Sequence, residues 1–152
     1  MNAPQNTIWG PHLWLILHST VERFAINNSK LPQEEIRIWK NLLSSLRYAL
    51  PCPLCKKHYT EYYAANQIIY SRTNLRNWLY NLHTSVNNRI KKANIELDKI
   101  PKLYGQPFNF TQHYNIIVNE FNKALKIGIC SRDDIQKCIR SLQEIKIFYD
   151  FF

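Results

Sequence analysis

Apolar residues recur along this chain at three- and four-residue intervals, the spacing of one helix face, and nowhere alternate as a strand would. Leu13, Leu17, Val21 and Phe24 mark a first helix. Pro32 followed by Gln33, Glu34 and Glu35 reads as the start of a second, because proline suits a first turn and acids favour the positive end. Its stripe is Ile36, Trp39, Leu43, Leu46 and Leu50, and Pro51 ends it. A third helix starts within Cys52-Pro53-Leu54-Cys55 and carries Tyr59, Tyr62 and Tyr63. Thr73 is the expected cap of a fourth, with Leu75, Leu79, Leu82, Val86 and Ile90 along it. Residues 94–109 contain Pro101, Gly105 and Pro107 and read as a connection. Thr111 is the expected cap of a fifth helix with Tyr114, Ile117, Phe121 and Leu125 inward, stopped by Gly128. Ser131 caps the last, with Asp133 and Asp134 in its first turn and Ile135, Leu142, Ile145 and Phe148 inward.

The pattern predicts an all-α fold: a four-helix up-down bundle over residues 8–105 and a two-helix C-terminal extension over residues 106–152. Composition narrows what such a fold can do. Hydrophobic residues make up 45% of the 152 and aromatics 13%, enough to bury a core. With three glycines, a Gly-rich phosphate loop is excluded, so a nucleotide here has to be held by helix surfaces and aromatic rings. The formal net charge of +9 suits nucleic acid, an anionic membrane or an anionic cofactor. No basic run exceeds three residues, which favours a solvated basic surface over a nucleic-acid partner. The longest apolar run, Leu13 to Leu17, is far short of the roughly 20 residues of a membrane span. The polar stretch Met1 to Thr7 lacks a signal pattern, so the expected location is the cytoplasm.

In that setting four cysteines point to redox groups, metal ligands or buried thiols. Cys52 and Cys55 lie three apart at a helix start, where their sulfurs can approach disulfide distance. Unpaired N–H groups and the positive dipole end should lower a thiolate pKa there. The alternative is half of a zinc site, with Cys130, Cys138 or a histidine completing it, although Cys-x7-Cys lies outside the usual ligand gap. A thioredoxin-like motif would follow a strand, and none is predicted. Cys130 and Cys138 should not bond to each other. Eight helical residues place them about 12 Å apart, and a disulfide needs about 4.4–6.8 Å.

Three ordered segments carry a resemblance. The first is Trp9-Gly10-Pro11-His12-Leu13-Trp14-Leu15-Ile16-Leu17-His18. The second is Pro51-Cys52-Pro53-Leu54-Cys55. The third is Trp78-Leu79-Tyr80-Asn81-Leu82-His83-Thr84-Ser85-Val86-Asn87, followed by Arg89 and Lys92. Together they resemble the Erv/ALR family of flavin-linked sulfhydryl oxidases, over about two thirds of the chain. The resemblance implies a helical bundle that holds FAD and often pairs as a homodimer. It implies that Cys55 lies against the flavin as a charge-transfer thiolate and that Cys52 exchanges with substrate thiols. Gly10, Trp14, His18, His83, Asn87 and Lys92 match family positions that contact FAD. Trp9, Tyr59, Trp78, Thr84, Arg89 and Tyr104 complete the candidate cofactor set, with Tyr104 near where the family places an aromatic against the adenine.

Read on their own terms, His83 and Asn87 share a helix face, as do Trp14 and His18, a pairing suited to stacking and orienting a flat ring. Arg89 and Lys92 could meet a pyrophosphate. Thr84 stands where the family usually has asparagine, and Tyr80 where many members have a cysteine tying the bundle to the next loop. No second Cys-x-x-Cys shuttle is present, so substrate thiols should reach Cys52 directly, and the shuttle-free build resembles enzymes of large DNA viruses. The expected activity is formation of disulfides in protein dithiols, with dioxygen reduced to hydrogen peroxide. The rival readings are a zinc or redox-sensing interaction module and a nucleic-acid-binding helical protein.

Overall fold

The computed structural model describes residues 3–26 and 30–152, so positions 1 and 2 of the polar N-terminal stretch lie outside it. Among the described residues are seven α-helices and a 3₁₀ turn, and no strand. The helices are α1 (Asn6–Val21), α2 (Pro32–Ala49), α3 (Pro53–Ala65), α4 (Arg72–Ile90), α5 (Ile100–Tyr104), α6 (Phe110–Lys126) and α7 (Arg132–Phe148). The turn, Leu97–Lys99, runs into α5, so the stretch expected to be a plain connection is partly helical, anchored by buried Ile100.

Local chemistry fixes the helix ends. Ser131 caps α7 as expected, its Oγ accepting the Asp134 N–H at 3.2 Å. Gly128, at φ +78°, turns the chain out of α6 through the left-handed region. Two expected caps are corrected. Ser71 rather than Thr73 caps α4, accepting from Asn74 N–H at 3.1 Å. Asn109 rather than Thr111 caps α6, accepting from Gln112 N–H at 3.1 Å. In each case a better capping residue two positions upstream captures the helix start and draws the threonine inside. Phe24 is buried but lies beyond the end of α1, and Ile90 is exposed rather than inward.

The helices enclose one hydrophobic core. α4 and α5 lie on α1, α3 lies on α2, α6 packs along α1, and α7 along α2. Leu13, Ile16 and Leu17 of α1 join Trp39, Leu42, Leu43 and Leu46 of α2 and Leu75, Leu79 and Leu82 of α4. Ile117 and Phe121 of α6 and Leu142 and Ile145 of α7 belong to the same cluster. Each such side chain contributes about 1.5–3 kcal/mol on burial. Residues 106–152 are therefore built into the core of residues 8–105.

All four cysteines are thiols. Cys130 precedes the α7 cap and Cys138 is fully buried within that helix.

A buried polar chain ties the end of α7 to α2. Trp39 Nε1–H donates to Tyr149 Oη at 2.9 Å, and Tyr149 O–H donates in turn to Glu35. Glu35 also accepts the Ala25 N–H at 3.0 and 3.2 Å, holding Ala25 at φ +61°. Tyr149→Phe removes the middle link and leaves a buried indole N–H without an acceptor. The expected cost is about 1–3 kcal/mol, read from the denaturant midpoint at unchanged slope.

Candidate functional site

The backbone between α2 and α3 sets the cysteine pair. Leu50 ends α2, and its carbonyl accepts the Cys52 N–H at 2.8 Å. Cys52 is extended, at φ −161°, and is itself the cap of α3: its Sγ accepts the Cys55 N–H at 3.2 Å. Pro53 fits the first turn, which needs no N–H partner. Both cysteines are half-buried. Asn6, the first residue of α1, reaches both sulfurs: its Nδ2 lies 3.6 Å from Cys52 Sγ and 3.5 Å from Cys55 Sγ.

Electrostatics at Cys55 run against the expectation of a lowered thiol pKa. Burial, reinforced by the neighbouring Cys52, pushes it up to about 12, and the Arg89 charge and the Asn6 N–H only partly oppose this. Desolvation outweighs the helix end here.

A cavity of about 660 Å³ opens beside the pair, within the ordinary range for small-molecule sites. α1 contributes Trp9, Gly10, Leu13, Trp14 and Leu17; α2 contributes Leu46, with Leu50 just beyond its end. Cys52, Cys55, His58 and Tyr59 border it, and Leu82, His83, Val86, Asn87 and Arg89 line it from α4. His83, Asn87, Lys92 and Tyr104 also line an adjoining hollow of about 190 Å³ that includes Tyr80 and Thr84. The two spaces meet at those four residues, forming one elongated site with sulfurs at one end.

The polar end is an aromatic staircase. Trp14 stacks on His83 with centroids 3.9 Å apart and planes at 7°. His83 Nδ1 faces His18 Nε2 at 2.9 Å, and His18 stacks on Tyr104 at 4.6 Å. Burial lowers His18 from 6.5 to about 3, helped by His83, and lowers His83 to about 4, helped by the Lys92 charge. Both rings are therefore neutral near pH 7, and one N–H is shared between them.

Two features fit a bound dinucleotide with a flat ring. Among the described residues the buried Trp9 indole N–H has no hydrogen-bond partner, and the Trp9 side chain borders the cavity. A Cβ built on Gly10 meets no atom within 4 Å, so the backbone there borders open space that a ligand can approach. Lys91 adopts the left-handed conformation at the end of α4 (φ 59°, ψ 39°), and the Lys92 N–H bonds the Asn87 carbonyl at 2.8 Å. That turn places Lys92 on the cavity wall.

Of the candidate cofactor residues singled out from sequence, Trp78 and His18 line neither space. His18 is buried behind the wall, stacked on Tyr104 and facing His83, whereas Trp78 is engaged elsewhere. Its Nε1–H donates to the Asn66 carbonyl at 2.8 Å and its ring meets Tyr59, Tyr62 and Tyr63 edge-on, which makes it a packing residue. Tyr59 borders the cavity while its hydroxyl donates to the Leu43 carbonyl at 2.6 Å. Arg89 lies at the sulfur end, close enough for its charge to act on Cys55.

Residues 11–105 match the Erv1/Alr family, more than half of the chain. The chain belongs to the Erv1/Alr family. Three relatives are proteins of large DNA viruses, each named an FAD-linked sulfhydryl oxidase. The frog virus 3 (isolate Goorha) protein is 29% identical over 64% of this chain and 66% of its own length. The Acanthamoeba polyphaga mimivirus protein is 31% identical over 52% and 56%. The invertebrate iridescent virus 3 protein is 25% identical over 67% and 69%. The chain thus spans about two thirds or less of the first two. No solved structure matches it significantly.

Within this Erv1/Alr chain, sequence reasoning missed His58 and Asn6. His58 follows Cys55 by three residues on one helix face, a signal that was available. Asn6 carried none, standing 46 positions from Cys52 in no motif. Tyr80, at the position where many members have a cysteine, donates its hydroxyl to the Ile95 carbonyl at 2.6 Å and so holds the loop after α4 by a hydrogen bond.

The neutral imidazole pair has a pH consequence. Between about pH 4 and 6.5 the unfolded chain binds protons that the folded histidines refuse. Stability is therefore full above pH 6.5 and falls as pH drops toward 4. Melting temperatures from pH 7 to 4.5 should show this decline, and His83→Gln should flatten it. An equally steep decline in that variant would remove the pair as its source.

Proposed function

We propose that this chain is an FAD-dependent sulfhydryl oxidase that forms disulfides in protein dithiols and reduces dioxygen to hydrogen peroxide. One observation carries the reading: an elongated cavity has Cys52 and Cys55 at one end and an aromatic, cationic wall at the other. Family membership and the names of the viral relatives support it.

Bound FAD supplies an acceptor that takes an electron pair from a dithiol and yields it to dioxygen. The chain's own residues do the rest. Cys52, the cap at the α3 start beside exposed Leu54, is the sulfur a substrate thiol attacks. Cys55, on the cavity wall, is the sulfur released. Trp9, Gly10, Trp14 and Tyr59 frame the ring end, His83, Asn87 and Thr84 offer polar edges, and Tyr104 offers a stacking face, backed from behind by buried His18. Lys92 supplies positive charge for a pyrophosphate. Leu46, Leu50, Leu82 and Val86 keep water from the sulfur end.

The homodimer implied by the resemblance belongs to this proposal, as does a cytoplasmic setting. Because α6 and α7 cover one flank of α1 and α2, a second copy has to pair on a surface they leave free. No described helix is long and apolar enough to cross a membrane.

Purified protein should be yellow and release FAD, not FMN, on heating. Cys52→Ser and Cys55→Ser should each abolish oxygen consumption with a dithiol. Only Cys52→Ser should keep a broad long-wavelength absorption band; its survival in Cys55→Ser would reverse the two assignments. Colourless folded protein would remove the oxidase reading.

A further inference from the structure

We propose that Asn6 is a catalytic residue of the redox centre, its carboxamide N–H donating to the sulfur released when the Cys52–Cys55 disulfide opens, and that Glu120 is the positioning residue that holds it there. The inference rests on the oxidase reading, in which the pair cycles between disulfide and dithiol. Asn6 precedes the family match at residues 11–105, and Glu120 follows it on α6.

The geometry is specific. Asn6 Nδ2 lies almost equidistant from the two sulfurs, at 3.6 and 3.5 Å. Asn6 occupies the first position of α1, and the residue before it has no side-chain cap bond. That start is held from outside the family span instead: the Gln5 N–H donates to Glu120 Oε1 at 2.8 Å. Glu120 is buried, at 1% exposure, and Lys123 Nζ stands 2.6 Å from its Oε2. A buried carboxylate is costly unless paired, so its two partners fix it in place. The carboxylate also suits the positive end of α1. α6 thus sets where α1 begins, and that sets where Asn6 reaches.

The chemistry gives Asn6 a task. A substrate thiolate attacks Cys52 Sγ, a new S–S bond joins substrate to Cys52, and the Cys52–Cys55 bond breaks with its electron pair leaving on Cys55 Sγ. A leaving thiolate departs faster when its charge is stabilised. Burial opposes that charge at Cys55, so each donor within reach counts. A carboxamide can do this without titrating, so the donor is present at every working pH.

The test uses the full-length chain, reduced under argon, with iodoacetamide alkylation of Cys55 followed against pH by mass spectrometry. Asn6→Leu should raise the Cys55 midpoint by about half a unit to one unit, cutting its neutral-pH alkylation by about 3- to 10-fold. Asn6→Asp should raise it further, while an acid at the helix start preserves or increases the melting temperature. A merely structural role for Asn6 would not separate those two readouts. Glu120→Ala should shift the midpoint in the same direction, and Glu120→Gln, which keeps an acceptor for the Gln5 N–H, should restore it. An unmoved Cys55 midpoint in both Asn6 variants overturns the proposal. Alkylation needs no turnover, so a wild-type chain that titrates as expected yet oxidises no dithiol would overturn the oxidase reading instead.

Discussion

Ile16, Leu17, His18, Ser19, Thr20 and Val21 are all buried, six consecutive residues of α1. A helix buried around its whole circumference needs neighbours on every side. α4 and α5 meet part of that demand and α6 meets another. The arrangement joins the C-terminal helices to the cavity beside Cys52 and Cys55 through a single element. Trp9, Gly10, Trp14 and Leu17 line the cavity from α1, while Glu120 of α6 holds the N-terminal end of the same helix. An extension that touches no cavity wall still determines where the cavity's wall stands.

The same extension braces the cysteine segment from beneath. Cys130 S–H reaches the Leu50 carbonyl at 3.4 Å, the acceptor that also receives the Cys52 N–H. Lys56, directly after Cys55, donates to the Ile129 carbonyl at 2.5 Å. Cys130 is buried and its thiol is raised by that burial, with Lys56 opposing. It is therefore a less reactive group than its place before a helix start suggests. Cys138, fully buried among Ile135 and Leu142, behaves as a small apolar side chain with its thiol pushed up to about 12.

Much of this was legible because it rests on short-range rules. The Cys52 cap with Pro53 in the first turn, the Ser131 cap and the Gly128 stop each follow from three or four adjacent residues. Helical spacing also put Trp14 with His18, and His83 with Asn87, on common faces; the fold brings Trp14, His83 and Asn87 to one cavity and buries His18 directly behind His83. What was not legible involves competition or distance. Ser71 and Asn109 outcompeted nearby threonines, a choice that depends on which start the core accommodates. Trp78 belonged to a motif, yet Asn66 and three tyrosines engage it as packing. The stripe Leu13, Leu17 and Val21 revealed one face of α1. The rest of that turn is closed with small polar residues, Ser19 and Thr20, the latter's Oγ1–H bonding the Ile16 carbonyl at 2.6 Å, and hydrophobic periodicity does not register them.

Lys91 shows how such a site is finished. A left-handed conformation costs a non-glycine residue about 1–2 kcal/mol, and glycine would remove the cost. The conformation closes the Asn87 carbonyl onto the Lys92 N–H and reverses the chain, so that Asn87 and Lys92 line the same wall. Their proximity to His83 has an electrostatic effect: the Lys92 charge, after burial, is what keeps that imidazole neutral. A neutral His83 can share one proton with His18 and lie flat against Trp14, whereas two imidazolium ions at 2.9 Å would repel. The strained turn, the cation and the neutral pair thus form one dependent set. A straight continuation of α4 past Ile90 would carry Lys92 onward along the helix axis and dissolve all three.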